Sequence, residues 1–193
     1  MKLVVCAPQD LKEELPSGDE IAHCSREEAN DIVADVLLYL YDDGLKTKFS
    51  GAKNVIINCV NETTPADQNI LRMNGWKGFI ARDTWEICGD VNNDVSSALQ
   101  LLNKKWIICR NEPGFISARV LAMIINEAWF AKESDISSEQ EIDTAMKLGT
   151  GYPFGPFEWG RKIGLNNVVS LLNILSEEDK RYQPSDMLLK AAE

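Results

Sequence analysis

Two patterns of apolar residues divide the chain. Up to about residue 110, short runs rich in Val, Ile and Leu recur at Lys2–Ala7, Glu20–Cys24, Asp35–Tyr41, Asn54–Val60, Gly78–Ala81 and Trp106–Arg110. They run nearly continuously apolar instead of alternating, as strands covered on both faces do. Helix signals lie between them. Ser25-Arg-Glu-Glu28 has the form of a capping box, in which the Ser oxygen takes an orphan helix N–H and the Glu reaches back. Thr64-Pro65 predicts a helix that stops at Gly75, with Pro at its first position. Asn93–Asn103 carries Val95, Ala98, Leu99 and Leu102 at helical spacing. Strands alternating with helices predict parallel βαβ units and an α/β sheet.

After Pro113-Gly114 the period changes. Phe115–Glu133 places Ile116, Val120, Leu121, Ile124, Ile125, Ala128 and Trp129 on one broad stripe, which predicts a long amphipathic helix. Ser138-Glu-Gln-Glu141 is a second capping box, opening a helix that ends at Gly149. The Gly/Pro-rich stretch Gly149–Phe157 follows, with Pro156 where the next helix starts. Asn166 or Asn167 can cap Val168–Leu175, and Ser185 a last helix through Ala192. The predicted domains are therefore an α/β part over 1–110 and an all-helical part over 111–193.

Composition narrows the function classes. Of 193 residues, 45% are hydrophobic and 26% charged, as in a soluble globular protein. Lys plus Arg is 20 against 30 for Asp plus Glu, and this charge of -10 argues against nucleic acid or an anionic membrane as partner. No stretch reaches the ~18 apolar residues of a membrane helix. The apolar run after Met1 is too short for a signal-peptide core, so the expected location is cytoplasmic. The cysteines Cys6, Cys24, Cys59, Cys88 and Cys109 are odd in number and form no C-x-x-C pair, which suits reduced, buried thiols. The single histidine, His23, excludes His-rich zinc sites. It is either a surface histidine at the end of the second strand or a relocated base. The tryptophans 76, 85, 106, 129 and 159 read as core or interface anchors.

Four motifs of the helical part carry a resemblance. Asn111-Glu-Pro-Gly-Phe-Ile-Ser-Ala-Arg119, Glu141-Ile-Asp-Thr-Ala-Met-Lys-Leu-Gly149, Gly151-Tyr-Pro-Phe-Gly-Pro-Phe-Glu158 and Arg181-Tyr-Gln-Pro-Ser185 stand in the order found in the 3-hydroxyacyl-CoA dehydrogenase family, which the chain resembles. The resemblance implies a Rossmann domain followed by a helical domain like the C-terminal domain of 6-phosphogluconate dehydrogenase. It also implies an NAD cofactor, an acyl-CoA substrate in the interdomain cleft, and a homodimer formed through the helices.

The first part departs from that family. A dinucleotide site needs G-x-G-x-x-G after the first strand, so that backbone can approach the pyrophosphate. Here the strand runs into Cys6-Ala7-Pro8-Gln9-Asp10. There is no glycine, Pro8 lacks a donor, and Asp10 puts negative charge where a phosphate would sit. The family's catalytic histidine corresponds to Ile80, which accepts no proton. The family's orienting glutamate corresponds to Glu86, either a relic of that dyad or a solvent-facing strand residue. Asn58 matches the family's Asn-Thr-Ser-Ser element without its serine, and Ala118 replaces a substrate-contacting asparagine. The candidate cleft is thus Asn58, Glu86, Ala118, Tyr152 and Pro153, with no confirmed catalytic residue, no metal ligand and no cofactor expected. The fold class is a reduced Rossmann-like parallel sheet followed by a helical domain. The functional expectation is a dehydrogenase-like protein without the usual NAD-dependent activity, which binds an acyl-CoA or small ligand or serves as a dimerising, regulatory module. An active NAD-dependent 3-hydroxybutyryl-CoA oxidoreductase of fatty-acid metabolism, with Glu86 or His23 as base, is the alternative.

Overall fold

The computed structural model describes residues 1–16, 18–64 and 69–193. The chain divides into two compact units, Met1–Phe115 and Ile116–Glu193. In the first, β1 (Leu3–Cys6), β2 (Ile21–His23), β3 (Ala34–Tyr39), β4 (Ala52–Asn58), β5 (Ile70–Met73), β6 (Thr84–Cys88) and β7 (Lys105–Ile108) form one sheet, in the order β2-β1-β3-β4-β5-β6-β7. All neighbours are parallel except β5 and β6, which pair antiparallel with Met73 opposite Ile87.

The apolar strands are apolar because both faces are covered. Leu3 and Val5 of β1, Val36 and Leu38 of β3 and Ile56 of β4 pack on one face, beneath Leu11, Ile80, Val95, Ala98 and Leu99. The alternate residues Val4, Cys6, Leu37, Tyr39, Val55 and Ile57 pack on the other. The first face carries the helices α1 (Gln9–Lys12) and α2 (Asn93–Leu101), the latter capped by Asn92, whose side chain accepts the Val95 N–H. The second face is covered by irregular chain, including Ala29, Ile32, Tyr41, Leu45 and Phe49. A doubly wound sheet ordinarily carries helices on both faces. Here the crossover from β3 to β4 holds only a single 3-10 turn, Gly44–Lys46.

Several sequence-based expectations change. Gly78–Ala81 is a turn, not a strand. Gly78 takes a positive φ of 88°, and the Phe79 N–H closes on the Trp76 carbonyl at 2.9 Å. Ile80 is fully buried, so the run is apolar because it feeds the core from a turn. The helix expected from Thr64 to Gly75 is replaced over its second half by β5, whose four residues pair in register with β4 from Val55–Ile70 to Asn58–Met73. The start of that expected helix, 65–68, lies outside the described residues. β6 is not marked by an apolar run, because Glu86 at its centre breaks it, and only the strand reading of Glu86 points to it. The Ser25 capping box forms reciprocally, with Ser25 N–H on Glu28 at 2.8 Å and Glu28 N–H on Ser25 at 3.3 Å, yet it leads only into the 3-10 turn Glu28–Asn30.

The second unit consists of α3 (Ser117–Glu133), α4 (Glu139–Thr150), α5 (Pro156–Ile163), α6 (Leu165–Glu178) and α7 (Asp186–Ala191). Its motifs are packing devices. Buried Asp143 of α4 accepts the Phe157 and Glu158 N–H groups at 2.8 and 3.2 Å, capping α5 from outside. Gly155 precedes it because a Cβ there would lie 2.3 Å from Asp143 Oδ1. Pro156 opens α5, and Glu158 reaches back to the Gly155 N–H at 2.9 Å. Buried Asn126 of α3 donates to the Gln183 carbonyl and accepts the Ser185 N–H, both at 2.9 Å, which anchors the Arg181–Ser185 motif. The Ser138 capping box is present, and α4 runs past Gly149 to a left-handed Gly151 with φ 70°. α6 starts at Leu165, earlier than an Asn166 or Asn167 cap requires. The Asn167 amide instead donates back to the Ile163 carbonyl at 2.9 Å, closing the end of α5.

Candidate functional site

An open α/β sheet offers its ligand site outside the carboxyl ends of its strands, where the strand order switches direction. In this sheet the switch lies between β1 and β3, because β2 pairs on one side of β1 and β3 on the other. β1 leads there into buried Ala7 and then Pro8, which stands at the N-cap of α1. α1 is four residues long, too short to align the peptide dipoles that hold a pyrophosphate. Two carboxylates occupy this end. Asp10 pairs with Lys77 at 3.1 Å, and both Glu14 oxygens lie 2.9 Å from the Gly78 N–H. These residues do not fit a dinucleotide phosphate, which needs free N–H donors and glycine clearance where the chain has proline, alanine and acids.

Further along the same end, two of the candidate residues are brought together. Asn58 closes β4. Its Nδ2 donates to Asp42 at 2.9 Å, and its Oδ1 accepts the Gly75 N–H at 3.1 Å. A Cβ on Gly75 would meet the Asn58 amide at 2.7 Å, so only glycine permits this approach. One residue earlier, Asn74 donates its side-chain amide to Glu86 at 3.0 Å and its backbone N–H to the Glu86 carbonyl at 3.2 Å. Glu86 is 8% exposed on β6, which excludes the solvent-facing reading. Asn58 and Glu86 thus belong to one network joined through Asn74-Gly75.

Beside this network lies a buried cation. Arg72 of β5 is fully buried. It donates to the Cys59 carbonyl at 3.1 Å, the Glu112 carbonyl at 3.2 Å, the Val60 carbonyl at 3.4 Å and Asn111 Oδ1 at 2.7 Å, with its guanidinium 4.8 Å from the Phe115 ring centre. Asn111 in turn holds Thr64 through both backbone groups, at 3.2 and 2.7 Å. The cluster ties the chain after β4 to the chain after β7. Sequence reasoning missed Arg72, Asn74 and Asp42. An available signal was Asn74-Gly75, a turn dipeptide after an apolar run. Nothing in the sequence marks Arg72 as buried.

Ile80 offers no chemistry. Its side chain is in the core, and its carbonyl accepts the Trp85 indole N–H at 3.0 Å and the Lys104 ammonium at 2.9 Å. Lys104 also binds the Arg82 carbonyl at 3.0 Å, and burial lowers the pKa of its ammonium. In the second unit, Ala118 is fully buried on α3, while Tyr152 and Pro153 stand exposed in the turn before α5. His23 is exposed on the edge strand β2. The five cysteines are free thiols, with Cys6, Cys24 and Cys88 buried and Cys59 and Cys109 half-buried. Burial pushes the Cys6 thiol up to about 12 and the Cys109 thiol up to about 11, and raises the other three. None of them has the lowered pKa of a nucleophilic cysteine. Among the described residues no three metal-ligating side chains gather, and no helix is long and apolar enough to cross a membrane.

Comparison with known proteins places these units. Residues 114–193 match the family model described as 3-hydroxyacyl-CoA dehydrogenase, C-terminal domain. A 3-hydroxyadipyl-CoA dehydrogenase from Escherichia coli K12 is 41% identical over 96 residues, 49% of this chain and 20% of the relative. The crystal structure of a 3-hydroxybutyryl-CoA dehydrogenase from the same organism superposes with a TM-score of 0.57 at 28% identity, covering 82% of this chain and 32% of that one. An (S)-3-hydroxybutyryl-CoA dehydrogenase from Ralstonia eutropha superposes with a TM-score of 0.65 at 20% identity, over 89% of this chain and 69% of the other, and so shares the fold. The chain spans between a fifth and a third of the length of the first curated relatives it matches. The helical unit thus matches the C-terminal domain of 3-hydroxyacyl-CoA dehydrogenases over residues 114–193, and the mostly parallel sheet before it shares a Rossmann-like fold.

Proposed function

We propose that this chain is a 3-hydroxyacyl-CoA dehydrogenase-like protein that does not carry out NAD-dependent hydride transfer at the family's usual site. Its sheet unit serves as a scaffold. Its helical unit forms a homodimer and contributes contacts to an acyl-CoA or a similar small ligand, in a role that supports or regulates catalytic relatives. The observation that carries the reading is the turn after β1: buried Ala7, Pro8 at the cap of a four-residue helix, and Asp10 and Glu14 committed to Lys77 and Gly78. The dimer is supported by Ile116, at the N-cap of α3, and Val120, one turn further on, both more than half exposed.

NADH fluorescence titration tests the cofactor part. No saturable binding is expected below ~1 mM, and tighter binding overturns the reading. Sedimentation at micromolar protein tests the dimer, where a monomer refutes it. A second reading rests on the buried Glu86 carboxylate, gathered with Asn58 and Asn74 at the carboxyl end of the sheet. It makes Glu86 the general base of an active oxidoreductase. That reading requires acetoacetyl-CoA-dependent NADH oxidation that disappears in Glu86→Gln while folding is retained.

A further inference from the structure

The crossover from β3 to β4 replaces a helix with a short segment pinned at both ends, to β4 at the first and to residues 30–32 at the second. At the first end, Gly44 lies so close to Ile57 that a Cβ would meet its side chain at 2.9 Å. Asp43 holds the turn: its carbonyl accepts the Lys46 N–H at 2.9 Å and the Thr47 N–H at 3.1 Å, and its carboxylate takes the Tyr39 hydroxyl at 2.8 Å and the Arg26 guanidinium. At the other end, a Cβ on Gly51 would lie 2.5 Å from the Ile32 carbonyl oxygen. Ser50 adds bonds from its hydroxyl to the Asn30 carbonyl at 3.0 Å and to Asp31 at 2.7 Å. Between these anchors residues 45–49 stand over a depression of about 530 Å³. That is within the range of small-molecule sites, roughly 300–1,000 Å³.

The lining has two characters. Leu45, Phe49, Val55 and Ile70 make an apolar wall and floor, and Lys46, Lys48 and Lys53 stand at the rim. Lys53 is paired with Asp35 at 2.6 Å. Lys46 and Lys48 are exposed and have no ion-pair partner among the described residues. Two uncommitted cations beside an apolar floor are notable in a chain whose acids exceed its bases by ten. The depression opens beside Ala52 and Lys53, at the amino-terminal half of β4, and beside Ile70, the first residue of β5. It is therefore at the opposite end of the strands from the Asn58–Glu86 network.

We infer that this depression is a second binding site, for a small amphipathic anion: a carboxylate or phosphate monoester whose aliphatic body lies on Val55, Ile70 and Phe49 and whose head is held by Lys46 and Lys48. The pinned crossover keeps the site preformed, which limits the ordering cost of binding. Cations at the rim select charge, and the apolar floor selects a body longer than a bare anion.

The test is an amide NMR titration at low salt with octanoate and octyl phosphate, using inorganic phosphate and octyltrimethylammonium as controls. Both eight-carbon anions are expected to shift residues 45–49 and 52–55 saturably, with a Kd of about 1 mM or tighter. The Lys46→Gln/Lys48→Gln variant, which alters only exposed side chains, is expected to keep the wild-type melting curve and bind roughly tenfold more weakly. Absence of saturable shifts there overturns the inference, as does equal binding of the cationic control. Unchanged affinity in the double variant, or inorganic phosphate binding as tightly as octyl phosphate, does so as well. Preference between the two anions identifies the head group, carboxylate or phosphate, that the site takes.

Discussion

Replacing Arg72 by Met is the sharpest probe of what closes the carboxyl end of the sheet. The guanidinium is fully buried and its hydrogen-bond partners are three carbonyls and the Asn111 amide oxygen. Methionine keeps much of the length and removes every donor. The Val60 carbonyl retains the Gly114 N–H at 2.8 Å, and Asn111 Oδ1 retains the Thr64 N–H at 3.2 Å. The Cys59 and Glu112 carbonyls lose the Arg72 donor. A hydrogen bond from a charged donor contributes about 1.5–3 kcal/mol. Two such losses, with the weakening of the other two bonds and of the cation–π contact on Phe115, sum to roughly 4–7 kcal/mol. Against this, the variant no longer desolvates a guanidinium, which in other proteins returns several kcal/mol when the replacement packs well. The net expectation is a loss of about 2–4 kcal/mol. For a unit of this size that lowers its Tm by roughly 10–25 °C. Thermal and urea unfolding followed by far-UV circular dichroism measure it. A variant as stable as the parent, or more stable, means that desolvation outweighs the hydrogen bonds and refutes the account of Arg72 as the tie between the β4 and β7 ends.

Other outcomes follow from the same structure. With its pKa pushed up to about 12, Cys6 is thiolate in roughly one molecule in ten thousand at about pH 8. Thiol titration of the native protein should therefore leave Cys6 unreacted while denaturant releases all five cysteines, and rapid native labelling of Cys6, mapped by mass spectrometry, contradicts its burial. Glu158 is held below the usual carboxylate range by Lys147 and then by the Gly155 N–H. Because the folded value is the lower one, its stabilisation is present above the unfolded pKa of about 4.3 and is lost as pH falls through the folded value. Glu158→Gln should flatten the pH dependence of stability below about pH 5, and an unchanged slope argues against the pairing. Asn126→Ala strips the Gln183 carbonyl and the Ser185 N–H of their buried partner and should cost about 2–3 kcal/mol by urea unfolding. A loss under about 0.5 kcal/mol shows that the Arg181–Ser185 segment is held by its apolar packing alone.

Much of the architecture is legible in the chain. β1, β3 and β4 coincide with apolar runs, since strands covered on both faces need side chains that tolerate burial on either side, and the edge strands β2 and β7 coincide with apolar runs although they are largely exposed. The helical unit is plainer still, because Ser138, Pro156 and Ser185 sit at helix starts where local chemistry decides. Local signals failed where long-range contacts ruled. Gly78–Ala81 is as apolar as a strand, but Gly78 and the Lys104 and Trp85 donors make it a turn. Ile70–Met73 is short and carries Arg72, and becomes a strand only because β4 and β6 flank it. Of the candidate site, Pro8, Asp10 and Ile80 could be judged from residue type alone, since no fold gives proline an N–H or isoleucine a proton-accepting atom.

What the sequence by itself determined is therefore the pair of units and the lack of glycines at the turn after β1. Those rest on periodicity, capping chemistry and covalent structure, which are properties of neighbouring residues. Tertiary structure alone decided that Glu86 is buried with Asn74, that Asn58 closes on Gly75, and that Arg72 gathers carbonyls from two separate stretches of chain. It also decided that a crossover without a helix leaves an apolar floor rimmed by lysines. The contacts of Glu86, Asn58 and Arg72 bring together groups more than ten residues apart, and whether such groups meet depends on strand order and register, which local sequence does not encode.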